Sequence, residues 1–397
     1  MLPLKRMLIA PASVVAVAAA AATVVATAVG CGSGPAPRPP GHAVSSRVSP
    51  PLAVAGLDAA CRDGVTSVST GWSHSCALCK SGEVACWGTN FLGNLGVPLP
   101  TERSSAAVIA GLKGVQEVAA GSYHTCARLA TGKVTCWGAN NDGQLGDDTS
   151  ATRLHPVMVV EIDSAVQIDV GLGPGHSCAV LRGGGLRCWG MNFNSQLGDG
   201  TMTNRAAPVA VEQLEDITQV STGAYHTCAL HKTGKVACWG GKHGRQGRMS
   251  SPVPREVAEL GDATQIAAGG EHTCALRSGG TVVCWGMNGA GQLGDGTWND
   301  HESPIEVRGL GEVTAISSSS NHTCAVLRDR TVKCWGANEH GQLGDGTTEP
   351  SNLPVAVPGL SDVASLATGH RMSCVVTGAA KVLCWGELDR GDEAPPR

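Results

Sequence analysis

The stretch HTCALRSGGTVVCWG, residues 272–286, holds three residues able to do chemistry. His272 stands two before Cys274, Cys284 follows ten residues later, and Trp285-Gly286 closes the motif. Three chemistries suit these types. A thiolate activated by an imidazole is a nucleophile. An imidazole and two thiolates supply three of the four ligands of a zinc site. Two cysteines facing each other across a hairpin meet the distance that a disulfide needs.

The motif recurs seven times. The pairs are Cys76 and Cys86, Cys126 and Cys136, Cys178 and Cys188, Cys228 and Cys238, Cys274 and Cys284, Cys324 and Cys334, and Cys374 and Cys384. A Trp-Gly follows every second cysteine. An enzyme needs one activated thiolate rather than a symmetrical set. Zinc lacks a fourth ligand at fixed spacing, and the seventh repeat keeps both cysteines but has Met372 in place of the histidine. In each repeat the cysteines lie symmetrically about a turn, as Cys274 and Cys284 do about Gly279. A hairpin there sets their Cα atoms about 4.5–5.5 Å apart on adjacent antiparallel strands. The expected role is therefore seven staples, each closing a short ring worth up to about 2–3 kcal/mol. The histidine is then a hydrogen-bonding residue inside its blade.

Each repeat of about 50 residues carries four apolar segments of the types PVAVxGL, VxxVAAG, HTCAL and KVxCWG, joined onward by a loop GxNxxGQLGDGT. Their alternation over four to seven residues is the strand period. Four short strands repeated seven times predict an all-β, seven-bladed β-propeller with four-stranded antiparallel blades. The segment before the histidine ends VSTG, VAAG, VGLG, VSTG, IAAG, ISSS and LATG, which suits an innermost strand crowded around an axis. The tryptophans then fill the wider space between blades.

The motif GxxHTCAL…GxVxCWGxNxxGQLGDGT, complete from Gly269 to Thr297, resembles the regulator of chromosome condensation repeat family, with similar copies from Val65 to Gly386. The resemblance implies a seven-bladed ring closed by strands from both chain ends. Here that is Pro51–Leu57 paired with Val382–Trp385. Departures are GGKHGRQGRM in the fourth repeat, Ser319 for glycine in the sixth and Met372 in the seventh.

Seventeen cysteines suit an oxidising compartment. Lys5 and Arg6 followed by an apolar Ala/Val run make residues 1–30 a secretory signal, with an uncleaved anchor as the alternative. Ala28-Val29-Gly30-Cys31 resembles the bacterial lipoprotein box, which implies lipidation of Cys31. Residues 31–50 make a Pro/Ser/Gly tether reaching about 60 Å, residues 51–386 the propeller and residues 387–397 a polar tail. Outside the repeats, and with Cys31 lipidated, Cys61 and Cys79 remain; an eighth bridge is expected, two free thiols being the alternative. The chain is thus expected to be exported, as a bacterial outer-membrane or cell-surface lipoprotein touching the membrane through its lipid alone.

Net charge is −4 and no basic cluster stands out beyond the first residues, which argues against nucleic acid. Asp147, Asp199, Asp295 and Asp345 sit in turn-forming loops and offer too few oxygens for calcium. No cofactor and no catalytic group is expected. Binding then falls to loops on a rigid monomeric scaffold. Trp72, Tyr123, Tyr225, Glu271 and Asn321 lie in the turns before the repeated histidine and are the candidate contacts, packing on neighbouring blades being the alternative. Phe91, Phe193 and Trp298 mark a second surface or cap blade edges. The expected function is a non-enzymatic scaffold for a protein or envelope polymer. The resemblance also admits a secreted inhibitor of an extracellular enzyme and, against the export signal, a guanine-nucleotide exchange factor for the Ran GTPase.

Overall fold

The structure, a computed structural model, describes residues 50–98, 103–173, 175–241 and 251–387. The expected signal, the expected lipidation site Cys31, the expected tether up to residue 49 and the expected tail from residue 388 lie outside the described residues. The described chain forms seven four-stranded antiparallel sheets, a seven-bladed β-propeller. The innermost strands are Val65–Thr70, Val115–Ala120, Ala165–Val170, Ile217–Thr222, Ala263–Ala268, Val313–Ser319 and Val363–Thr368, opening blades 1 to 7.

Within a blade the strands follow chain order. Blade 5 runs Ala263–Ala268, His272–Arg277, Val282–Gly286 and His301–Glu306. In the register of its second and third strands His272 lies opposite Gly286, Thr273 opposite Trp285 and Cys274 opposite Cys284. The same register recurs in every blade, and all seven cysteine pairs are bridged. Their Cα atoms are 4.0–4.1 Å apart, tighter than hairpin geometry alone suggests. These sulfurs are therefore neither nucleophiles nor zinc ligands.

Hydrophobic burial repeats with the same period, but between blades. Trp137 of blade 2 packs in one cluster with Cys76 and Cys86 of blade 1. Trp189 does the same on Cys126 and Cys136, and Trp87 closes the circle on Cys374 and Cys384 of blade 7. Each indole thus lies against the preceding blade's disulfide, so blades adhere through the elements that staple them.

Ring closure follows expectation in kind and is shorter in extent. Leu52 and Ala53 pair with Cys384 and Leu383 as the outer strand of blade 7. Pairing stops there because the chain turns at Gly56, at φ 73, into a short helix Leu57–Ala60 that buries Leu57. Cys61, just after it, is bridged to Cys79 at the end of blade 1's second strand.

Candidate functional site

The repeated histidine does not bond within its blade, as expected from sequence, but crosses to the next one. His74 Nε2 lies 2.7 Å from Thr125 Oγ1, and the same link runs from His124 to Ser177, His176 to Thr227, His226 to Thr273, His272 to Thr323 and His322 to Ser373. The receiving hydroxyls of Thr125, Ser177, Thr227 and Ser373 donate to carbonyls of Asn94, Gln144, Gln196 and Gln342 in the preceding blade's long loop. Since these four hydroxyl protons are committed, Nε2–H must be the donor in those four links, as it is in a neutral ring protonated at Nε2. Burial agrees. It lowers His74, His176 and His322 to about 3 and His124 to about 4. At the blade 7 to blade 1 seam, Ser75 donates instead to the thioether of Met372.

The DGT loops are turn-makers too. Asp199 accepts from the Thr201 amide and hydroxyl, from Asn192 and from Arg205, and Asp147 repeats the set with Thr149, Asn140 and Arg153. Burial raises both carboxyls, but these hydrogen bonds outweigh it and hold them below the usual carboxylate range.

Around the axis the innermost strands line a cavity of about 370 Å3. Small residues do line it, including Ala119, Ser221, Ala267 and Ala367. Sequence reasoning missed two carboxylates on the wall. Glu117 accepts from the Ile168 amide and pairs with Arg128 at 2.9 Å, while Asp169 accepts from the amide and hydroxyl of Thr222. Burial pushes Glu117 up to about 7 and Asp169 up to about 6, against the pull of those partners. Both stitch neighbouring blades where other blades use Gln219, Gln265, Ser221 or Ser317. The signal was present as acidic residues interrupting an otherwise neutral strand.

The predicted contacts gather on one face. The turns before the histidines and the long loops are locked together by backbone hydrogen bonds, such as Thr89 amide to Ser73 carbonyl and Ala139 amide to Tyr123 carbonyl. Phe91 of the blade 1 loop comes to 6.2 Å, centroid to centroid, from Tyr123 of the blade 2 turn. Phe193 and Tyr225 occupy the same two positions at the junction of blades 3 and 4. Phe91 is 66 % exposed and Phe193 59 %, while Tyr123 and Tyr225 are half-buried. Between the two pairs, the corresponding positions hold Asn141 and Gly175. Trp72, 37 % exposed, stacks on His370 at 3.7 Å, and Asn321 is exposed in its turn. Glu271 is half-buried, and burial followed by the charge of Asp300 raises its carboxyl. Trp298, also exposed, follows a DGT loop that joins the same ends of the strands. Phe91, Phe193 and Trp298 therefore belong with the predicted residues, not to a separate surface. The shared feature was each residue's place in the repeat.

Among the described residues, no group of three or more His, Cys, Asp or Glu is placed to hold a metal ion.

Comparison with known proteins agrees with this architecture. A family model described as an RCC1-like domain matches residues 173–392, and models of the regulator of chromosome condensation (RCC1) repeat match 65–94, 115–144 and 131–180. No curated protein sequence matches the chain. Yeast RCC1 (Prp20), in a structure bound to Kap60, has 21% identity and a TM-score of 0.69, covering 83% of this chain and 81% of its own. Human WBSCR16 has 20% identity and a TM-score of 0.69, covering 81% and 86%. The CRINKLY WD40 ectodomain of the Arabidopsis thaliana receptor kinase ACR4 has 20% identity and a TM-score of 0.51, covering 81% and 95%. The histidine-and-tryptophan seams repeat around a ring of seven blades, and the matched models span more than half the chain. It belongs to the family of RCC1-like domains built from regulator of chromosome condensation repeats.

Proposed function

We propose that this protein is an exported, membrane-tethered propeller that acts as a non-enzymatic binding scaffold at the cell envelope and engages its partner through the long-loop face. The observation that carries this reading is the placement of its aromatics. Both phenylalanines, both tyrosines and both tryptophans outside the repeated CWG motif stand on that one face. Exposed Tyr, Trp and Phe on a rigid frame supply contact area at small entropic cost. Disulfides at sixteen cysteines support an oxidising compartment. Lipidation at Cys31 would supply the anchor. The repeated histidines, the DGT aspartates, Glu117 and Asp169 are committed to seams and turns, which supports binding rather than catalysis. A protein partner is in keeping with the fold, since yeast RCC1 (Prp20) was crystallised bound to Kap60.

The test is capture from an extract of the native compartment with the full chain as bait, beside Trp72→Ala, Tyr123→Ala and Tyr225→Ala variants of unchanged melting temperature. A partner retained at least tenfold less by the variants supports the face. Equal retention overturns it. If the partner is an enzyme whose activity falls on binding, the scaffold works as an inhibitor.

A further inference from the structure

Among the described residues eight large apolar side chains are exposed, and five of them stand on the long-loop face: Trp72, Phe91, Phe193, Met202 and Trp298. The other three, Met158, Val166 and Leu353, lie within strands. Trp72 sits in a turn near the axis. The remaining four ride on the long loops of alternate blades, Phe91 on blade 1, Phe193 and Met202 on blade 3 and Trp298 on blade 5. These four are 48–66 % exposed, so each turns at least about half of its surface to solvent. Apolar tips set apart around a ring form no single pocket. They match a flat, fluid surface, which asks for no shape complementarity.

The chain enters on the same face. Val382–Gly386 runs toward the long-loop face, as the third strand of the other blades does. Leu52 and Ala53 run antiparallel to it, Leu52 opposite Cys384 and Ala53 opposite Leu383. Pro50 therefore comes in from the long-loop side, and an anchor at Cys31 is joined through residues 32–49 to this face rather than to the hairpin end. A tether of that kind sets an effective concentration on the order of millimolar, at which weak insertion suffices.

We infer that the long loops of blades 1, 3 and 5 rest on the lipid surface to which the chain is tethered, with Phe91, Phe193, Met202 and Trp298 entering the boundary between headgroups and acyl chains. Aromatic and large apolar side chains favour that boundary. Contact is then made at two places, where the sequence suggests the lipid anchor alone. The turns stand inside the loops, which leaves Trp72, Tyr123 and Tyr225 to meet a partner held at that membrane. The inference rests on the proposed membrane tether.

The probe is a phosphatidylcholine vesicle with plain or brominated acyl chains, carrying the reconstituted full chain. Sedimentation reads the anchor, and quenching of tryptophan by bromine reads the face. No tryptophan precedes Trp72, so the anchor adds nothing to the emission. The chain should sediment with the vesicles. Nine tryptophans share the emission, so entry of Trp298 into lipid should lower it by on the order of a tenth on brominated vesicles. That drop should vanish in Trp298→Phe and shrink by at least about threefold in the triple variant Phe91→Ser, Phe193→Ser, Met202→Ser. Met158→Ser with Val166→Ser, at the hairpin end, should leave it unchanged. Sedimentation without quenching would overturn the inference and leave the tether standing. Absence of both would overturn the two together. Quenching unchanged in the triple variant would also overturn the inference, since the tether alone would then hold the face against lipid.

Discussion

Glu117 and Arg128 lie opposite each other on the first two strands of blade 2, joined at 2.9 Å, and each replaces an uncharged residue of the other blades. Gln167, Gln219 and Gln265 stand at the first position, and Leu78, Val180, Leu230, Leu276, Val326 and Val376 at the second. Each glutamine both donates to and accepts from the next blade's backbone, whereas Glu117 only accepts and needs Arg128 for its charge. Arg128→Leu or Glu117→Gln alone should cost about 1–3 kcal/mol, because each strands the other partner. The double variant recreates the Gln219 and Leu230 pattern of blade 4 and should return to within about 1 kcal/mol of the parent. Urea unfolding of the four proteins measures the coupling.

Thr70 is buried and its hydroxyl has no partner. The equivalent Thr222 and Thr368 are met by Asp169 and Ser317 of the preceding blade, but blade 7 presents Ala367 to Thr70. Ala367→Ser should supply the missing acceptor and stabilise the protein by about 0.5–1.5 kcal/mol. A lower urea midpoint than the parent would show that the seam has no room for it.

Acid should unfold the ring from its seams. His74, His124, His176 and His322 are held at about 3 or 4, against 6.5 for a free histidine. Their contribution is fully present above pH 6.5 and is lost as pH falls, because the unfolded chain takes up protons that the folded chain refuses. Glu117 and Asp169 act oppositely. Raised to about 7 and about 6, they disfavour the fold above those values and relieve it as pH falls toward 4. Four protons against two leave a net loss of about 2–3 kcal/mol per pH unit around pH 5.5. Unfolding midpoints at pH 7.5, 6.5, 5.5 and 4.5 should stay level over the first interval and then drop.

All sixteen cysteines among the described residues are paired. Denatured without reductant, the protein should therefore show one titratable thiol if Cys31 is unmodified and none if it carries a thioether lipid. A count near seventeen in natively purified protein would contradict the disulfide framework.

Blade number, strand order and the cysteine pairs were legible because each is a local pattern repeated seven times. His272 with Cys274 on one strand carried no sign of its partner, Thr323, because that link is set by how two blades meet rather than by spacing within one. The same holds for Phe91 and Tyr123, which lie in different repeats and meet only when the loop of one blade folds over the turn of the next. Glu117 escaped notice because its meaning depends on Arg128, eleven residues on, standing where a leucine or valine is the rule. The ring-closing strand was overestimated because Gly56 turns the chain after two paired residues.

The bridge between Cys61 and Cys79 has a mechanical side. Tension applied to the N-terminal chain first reaches Leu52 and Ala53, whose short pairing to blade 7 peels residue by residue. Past the Ala106 amide bonded to the Ala55 carbonyl and the short helix with its buried Leu57, the next junction is covalent. Force then passes through Cys61 into the second strand of blade 1, and from there across Cys76–Cys86 to the third. Loaded this way, the ring is held by sulfur rather than by its weakest hydrogen bonds, and the pull stops at blade 1 before the other blades are drawn apart.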